Sequence, residues 1–230
     1  MKRFWTEVTL TPQRGVLLDG RPVRTPGRLP LVLPNEALAT LVADEWRAVD
    51  GEVDPRSMPM TGLANAAVER AAADRRAFAA TLARYAESDL LCYRAESPEP
   101  LVARQAAAWD PPLAWAAARF DVSFVIATGI VHRPQPLATL ARLGEAVAAL
   151  DPFALAACAP ITTLTGSVVL ALALAEGAAC ADAAWAAATL DEAWSAEQWG
   201  EDAEAAALLA ARRREFDAAV RFLGAARSAG

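Results

Sequence analysis

The stretch Val16-Leu17-Leu18-Asp19-Gly20-Arg21-Pro22-Val23-Arg24-Thr25 decides how the first third of the chain is read. Asp19-Gly20 places residues tolerant of positive φ between two apolar runs, the arrangement that closes a tight antiparallel hairpin. Upstream, Phe4-Trp5-Thr6-Glu7-Val8-Thr9-Leu10 alternates loosely as a strand does, and a Pro-Gln-Arg break separates it from Gly15. Downstream, Leu29-Pro30-Leu31-Val32-Leu33 is flanked by proline, which cannot donate to a ladder, so it belongs at a sheet edge.

At Pro34-Asn35 the period changes. Asn35 can cap free amides, and Leu38, Leu41, Val42 and Trp46 recur at helical spacing to about Ala48. Thr61 opens a second helix towards Ala73. Helices follow at Arg75 to Glu87, Leu101 to Phe120, Gln135 to Leu150, Pro152 to Ala157, Ile161 to Glu176, Ala181 to Trp199 and Asp202 to Ala226. Proline and glycine punctuate most joints, among them Pro98, Gly129, Pro134, Pro160, Gly177 and Gly200. Trp109 and Trp115 flank Asp110-Pro111-Pro112 and read as fixing a helix break and filling the core, while Trp5 and Trp46 read as packing residues. The switch from strands to helices predicts an α+β protein: a small N-terminal β-rich α+β domain over residues 1–75, followed by a C-terminal α-helical bundle over residues 76–230.

Composition narrows the function. At 230 residues and 55% hydrophobic the chain can bury a substantial core, and its net charge of −6, mixed in sign, offers no attraction for a phosphate backbone or anionic lipid. Nucleic acid is therefore not an expected partner. The most apolar run, Ile161 to Ala175, is interrupted by Thr162, Thr163, Thr165 and Ser167, and it falls short of the ~20 residues a membrane helix needs. A buried helix is expected there, with no membrane insertion. Cys92, Cys158 and Cys180 are far apart and odd in number, which suits a reducing compartment. No apolar signal core follows Met1, so the expected location is the bacterial cytoplasm, or the mitochondrial matrix in a eukaryote.

Chemical machinery is sparse. The only lysine is Lys2, outside any glycine-rich turn, so no phosphate loop can be assembled, and no Gly-x-Gly-x-x-Gly follows a strand. One histidine, His132, and no Cys-x-x-Cys leave the usual zinc ligand sets incomplete, and no serine occupies a Gly-x-Ser-x-Gly elbow. His132, in Val-His-Arg-Pro, reads as a surface loop residue. No catalytic residue, cofactor or metal is expected.

One stretch stands out: Asp191, Glu192, Glu197, Glu201, Asp202 and Glu204 crowd around Trp194, Gln198 and Trp199. Aromatic residues with neighbouring charge are the usual anchors of a protein interface. Two plainer readings compete. Acids just after Gly200 complement the amide end of a helix, and the tryptophans could plug a bundle. An enzyme using these acids with Arg21 or Arg24 would need them to converge in a pocket, and a permanent structural subunit would need a constant partner.

The order of several short blocks resembles a known family. Phe4-Trp5, Leu18 to Pro26, Leu31 and Pro34, Glu45-Trp46, Met58-Pro59-Met60-Thr61, Asp89-Leu90-Leu91-Cys92-Tyr93-Arg94, Gln105 with Trp109-Asp110-Pro111, Thr128-Gly129 and Glu197-Gln198-Trp199-Gly200 are similar to the successive signatures of the alpha-subunit-binding assembly chaperones of the F-type ATP synthase, the ATP-twelve family. Trp5 departs from a commoner tyrosine and Ser195 from an expected glutamine. The resemblance implies a β-rich N-terminal domain, a helical C-terminal domain and no cofactor. It also implies a chaperone, monomeric alone, that binds the unassembled ATP synthase alpha subunit, covers its beta-facing surface and leaves when the beta subunit arrives. On that reading the partner-binding residues are Trp194, Glu197, Gln198, Trp199, Glu201, Asp202 and Glu204; the family's important glutamate falls first on Glu201 and second on Glu204.

Overall fold

The computed structural model describes residues 2–129 and 131–227. Asp19 and Gly20 both take positive φ, 47° and 76°, and their turn pairs β2 (Val16–Leu18) antiparallel with β3 (Arg21–Pro22) in the register Leu18↔Arg21. β1 (Val8–Leu10) lies on the other side of β2, giving the order β1-β2-β3. The Asp19 carboxylate reaches back to accept the amides of Glu7 (2.8 Å) and Thr6 (3.0 Å), which hold it below the usual aspartate range. The proline-flanked run joins at the margin through the single bridges Gly15↔Val32 and Arg24↔Pro30.

The helices are α1 (Glu36–Ala48), α2 (Pro59–Ala66), α3 (Arg75–Ala83), α4 (Glu99–Phe120), α5 (Leu137–Ala149), α6 (Pro152–Thr165), α7 (Val168–Glu176), α8 (Ala181–Ala188), α9 (Leu190–Trp199) and α10 (Ala203–Arg227). Short β4 (Tyr93–Arg94) and β5 (Ala127–Thr128) pair in parallel. The chain forms two units, one of Met1–Phe78, Asp151–Ala157 and Ala218–Gly230, the other of Ala79–Leu150 and Cys158–Asp217. No helix among the described residues is long and apolar enough to cross a membrane.

In the first unit, Asn35 caps α1 by accepting the Leu38 amide at 2.8 Å and donates from Nδ2 to the carbonyl of Ala225 at 2.8 Å. The buried face of α1, from Leu38 through Val42 to Trp46, covers β1 and β2. Trp5 packs edge-on against Trp46 at 5.2 Å and donates its indole N–H to the Trp46 carbonyl. Beside it, Glu45 accepts the amides of Met60 and Thr61, both at 2.7 Å, and so caps α2, which has no cap of its own. Burial lifts the Glu45 carboxyl above the usual glutamate range against the pull of those amides. Phe153 and Phe222 stack at 6.4 Å and tie the two later segments of this unit to each other.

The second unit departs from the sequence reading at three joints. The expected helix from Ile161 to Glu176 breaks at Gly166, which takes φ 66°, while Pro160 lies inside α6. The cause is distant in sequence: the Leu90 amide donates to the Gly166 carbonyl, and fully buried Asp89 accepts the Val169 and Leu91 amides, each at 3.1 Å. Ser167 adds a cap to α7 through the Leu170 amide at 3.0 Å. The expected helix from Ala181 to Trp199 divides at Thr189, whose hydroxyl donates to the Trp185 carbonyl. Conversely, Asp110-Pro111-Pro112 does not break α4. The proline defect of about 3 kcal/mol is outweighed by burial of Trp109, Leu113 and Ala116 on one face, with the Trp109 indole donating to the Ala187 carbonyl at 2.7 Å.

Burial pushes Asp89 up to about 6 from an ordinary 3.8, although the Val169 amide, the Ser167 hydroxyl and the Leu91 amide all pull it down. The folded state therefore holds this proton more tightly than the unfolded chain. Its contribution to stability is full below the unfolded value and is lost as pH rises through 6, up to about 3 kcal/mol. Urea unfolding of wild type and Asp89→Asn from about pH 4.5 to 7.5 should show the wild type losing ground to the substituted protein as pH rises. Parallel curves would mean that this carboxyl does not titrate in the window.

Candidate functional site

Helix α9 carries two tryptophans yet has no buried residue. Its inner side is tied to α4 by side chains. Gln105, buried, accepts the Ala95 amide at 2.8 Å and donates to Asp191 at 2.8 Å. Arg104 lies 4.8 Å over the Trp194 ring and pairs with Glu197 at 2.6 Å. Below them Arg94, almost fully buried, lies 5.1 Å over the Trp109 ring and pairs with Asp110 at 2.7 Å.

Gly200, at φ 90°, ends α9, and α10 starts three residues later with the Ala205 amide donating to Asp202 at 2.8 Å. Glu192, Ser195, Ala196 and Trp199 recur at helical spacing on α9, as do Ala205, Leu208, Leu209 and Arg212 on α10. The two stripes line one cleft of about 570 Å³ with Glu201 and Asp202 at the joint. Trp199 is 80% exposed and Leu208 63%. Arg212 is already engaged, pairing with Glu192 at 3.4 Å and donating to the Leu164 carbonyl at 3.0 Å.

The seven residues singled out from the sequence thus divide. Trp194 and Glu197 hold α9 to α4 through Arg104. Gln198, Trp199, Glu201, Asp202 and Glu204 are exposed, and Glu201 and Glu204 have no ion pair among the described residues. Asp202 is both a helix cap and a wall of the cleft; Glu201 and Trp199 also line it, whereas Gln198 and Glu204 lie outside it. Sequence reading missed Leu208, Leu209 and Arg212. The signal was present as the three- and four-residue spacing from Ala205, hidden inside an alanine run.

Elsewhere, His132 sits in a loop with Nδ1 2.8 Å from Tyr93 Oη and Nε2 3.4 Å from Glu87. All three cysteines are free, and burial pushes the Cys92 thiol up to about 12. Among the described residues no group of three or more His, Cys, Asp or Glu is placed to hold a metal ion.

A family model described as ATP12 chaperone protein matches residues 2–117. The solved D202K mutant of Paracoccus denitrificans Atp12p is 44% identical, with 98% of each chain covered and a TM-score of 0.92. This chain belongs to the ATP12 chaperone family. Atp12 from Paracoccus denitrificans (43% identical, 98% of each chain, TM-score 0.91) and the Atu1473 protein of Agrobacterium tumefaciens (45%, 97% of this chain and 85% of that one, TM-score 0.91) share the same architecture.

In this ATP12-family chaperone the blocks that carry the family resemblance are largely internal. Glu45 caps α2 at Met60-Thr61, Asp89 caps α7, and Arg94, Gln105, Trp109 and Asp110 build the α4 platform. The open cleft lies beyond the matched residues 2–117. Trp199→Ala and Leu208→Ser should each change unfolding free energy by no more than about 0.5 kcal/mol. Trp109→Ala should cost about 3–5 kcal/mol. Urea melts of the three proteins check this division between supporting and exposed residues.

Proposed function

We propose that this ATP synthase assembly chaperone binds the unassembled alpha subunit and masks its beta-facing interface until the beta subunit replaces it. A ring subunit waiting for its neighbours exposes a large apolar surface, an aggregation hazard. A protein that covers such a surface for a time needs anchors of its own that are apolar, specific and weaker than the final interface. The observation that carries the reading is Trp199, 80% exposed on a helix tied to α4 by side-chain bonds, beside the acids Glu201 and Asp202.

Glu201, with Asp202 and Glu204, meets basic groups of the alpha subunit, and Trp199 and Gln198 make the adjoining contact. Trp194 and Glu197 keep the α9 backbone in place for them. The work is done by shape and charge, without bond-making, cofactor or metal, and the chain acts as a monomer until it finds its client.

Alpha subunit expressed without beta should stay soluble with the wild-type chain and aggregate without it. Glu201→Lys should weaken capture in a pull-down by about tenfold or more, because it sets like charge against the partner, with the circular dichroism melt unchanged. Undiminished capture by Glu201→Lys defeats the residue assignment, and an alpha subunit indifferent to the wild-type chain defeats the function.

A further inference from the structure

The cleft between α9 and α10 points to the shape of what it holds. Its stripes follow three- and four-residue helical spacing, and its lining combines the small residues Ala196, Ala205 and Ala206 with the large apolar Trp199 and Leu208. Two helices so arranged form part of a three-helix packing, in which small residues let another helix approach within about 8–10 Å. Exposed backbone for strand addition is lacking, since both walls are helical and their interior amides and carbonyls are paired within the helices. A small-molecule pocket would need inward-facing buried polar groups; the polar side chains that line this cleft are half-buried or exposed.

Charge selects among helical occupants. Asp191, Glu192, Glu201 and Asp202 line the cleft, against the single base Arg212, which is held by Glu192 and the Leu164 carbonyl. A second copy of this chain would bring the same acids face to face, an arrangement that like-charge repulsion opposes. A segment carrying lysine or arginine beside its apolar stripe meets complementary charge.

We infer that the α9–α10 cleft seats a single amphipathic helix of the client, its apolar stripe between Trp199 and Leu208 and its flanking basic side chains on Glu201 and Asp202. This rests on the chaperone reading above and specifies the form in which the client is held: one helix, recognised along its length, rather than a flat surface. Trp199 is then the central anchor, and the acids set orientation and speed of approach.

The probe is a fluorescein-labelled peptide of about 18 residues, five helical turns, with leucines at i, i+3, i+4 and i+7 flanked by lysines. Its counterpart carries glutamate at every lysine. Fluorescence anisotropy with the full chain should show the lysine peptide binding at least about tenfold more tightly than the glutamate peptide. Trp199→Ala and Leu208→Ser should each weaken it by about fivefold or more, with thermal melts unchanged. Equal affinity for the two peptides, no binding of either, or binding untouched by both substitutions overturns the inference. So does a wild-type dimer in sedimentation that Trp199→Ala dissolves, since the occupant is then a second copy. Alpha-subunit capture by the same proteins separates the two claims. Variants that lose the peptide but keep the subunit sink the cleft assignment alone, whereas a wild type that binds the lysine peptide yet ignores the subunit sinks only the alpha-subunit reading.

Discussion

A helix that begins inside a protein brings amides that no carbonyl of its own can accept, and in this chain several acceptors come from remote residues. Glu45 supplies both oxygens to the first turn of α2, and Asp89, buried without exposure, serves the first turn of α7 from 80 residues away. An orphaned buried amide costs about 1–3 kcal/mol, so α7, whose residues Val168 to Leu174 are all buried, depends on that carboxylate for its position. The burial that makes Asp89 necessary is also what raises its affinity for a proton.

The same logic extends from α7 to α4 and outward. α4 packs on α7 and α8, keeps its line through two prolines because Trp109 is locked to the Ala187 carbonyl, and turns Gln105 and Arg104 towards α9. α9 is thereby tied to α4, and through the Glu192–Arg212 pair to α10. Trp199 and Leu208 stay exposed, so the chain presents apolar surface beside the side-chain bonds that tie α9 to α4. Rigid presentation lowers the ordering cost of binding.

For the proposed role, in which a client is held and then released, this economy of contact is useful. A small number of aromatic and aliphatic anchors rimmed by acids can give specificity and fast encounter without an interface too large to be displaced. Most of the shared blocks build the platform, and the last of them, Glu197-Gln198-Trp199-Gly200, reaches the solvent-facing edge, whose α10 side lies in an alanine-rich stretch with less to identify it.

From the sequence alone came the hairpin at Asp19-Gly20, the cap at Asn35, the α+β division of character and the acidic, aromatic stretch from Trp194 to Glu204, together with the family to which those blocks belong. Each local feature is written within a few residues: a turn needs positive φ at its own two positions, and a cap needs an acceptor beside its own amides. Tertiary structure decided what those rules cannot reach. Pro111-Pro112 sits within a helix because packing on one face exceeds the local penalty, and Gly166 ends a helix because Leu90 and Asp89 meet it there. Leu208, Leu209 and Arg212 come to face the α9 stripe only because the chain folds α10 back beside α9. Such pairing depends on what the rest of the chain brings alongside, and short-range pattern carries no record of that.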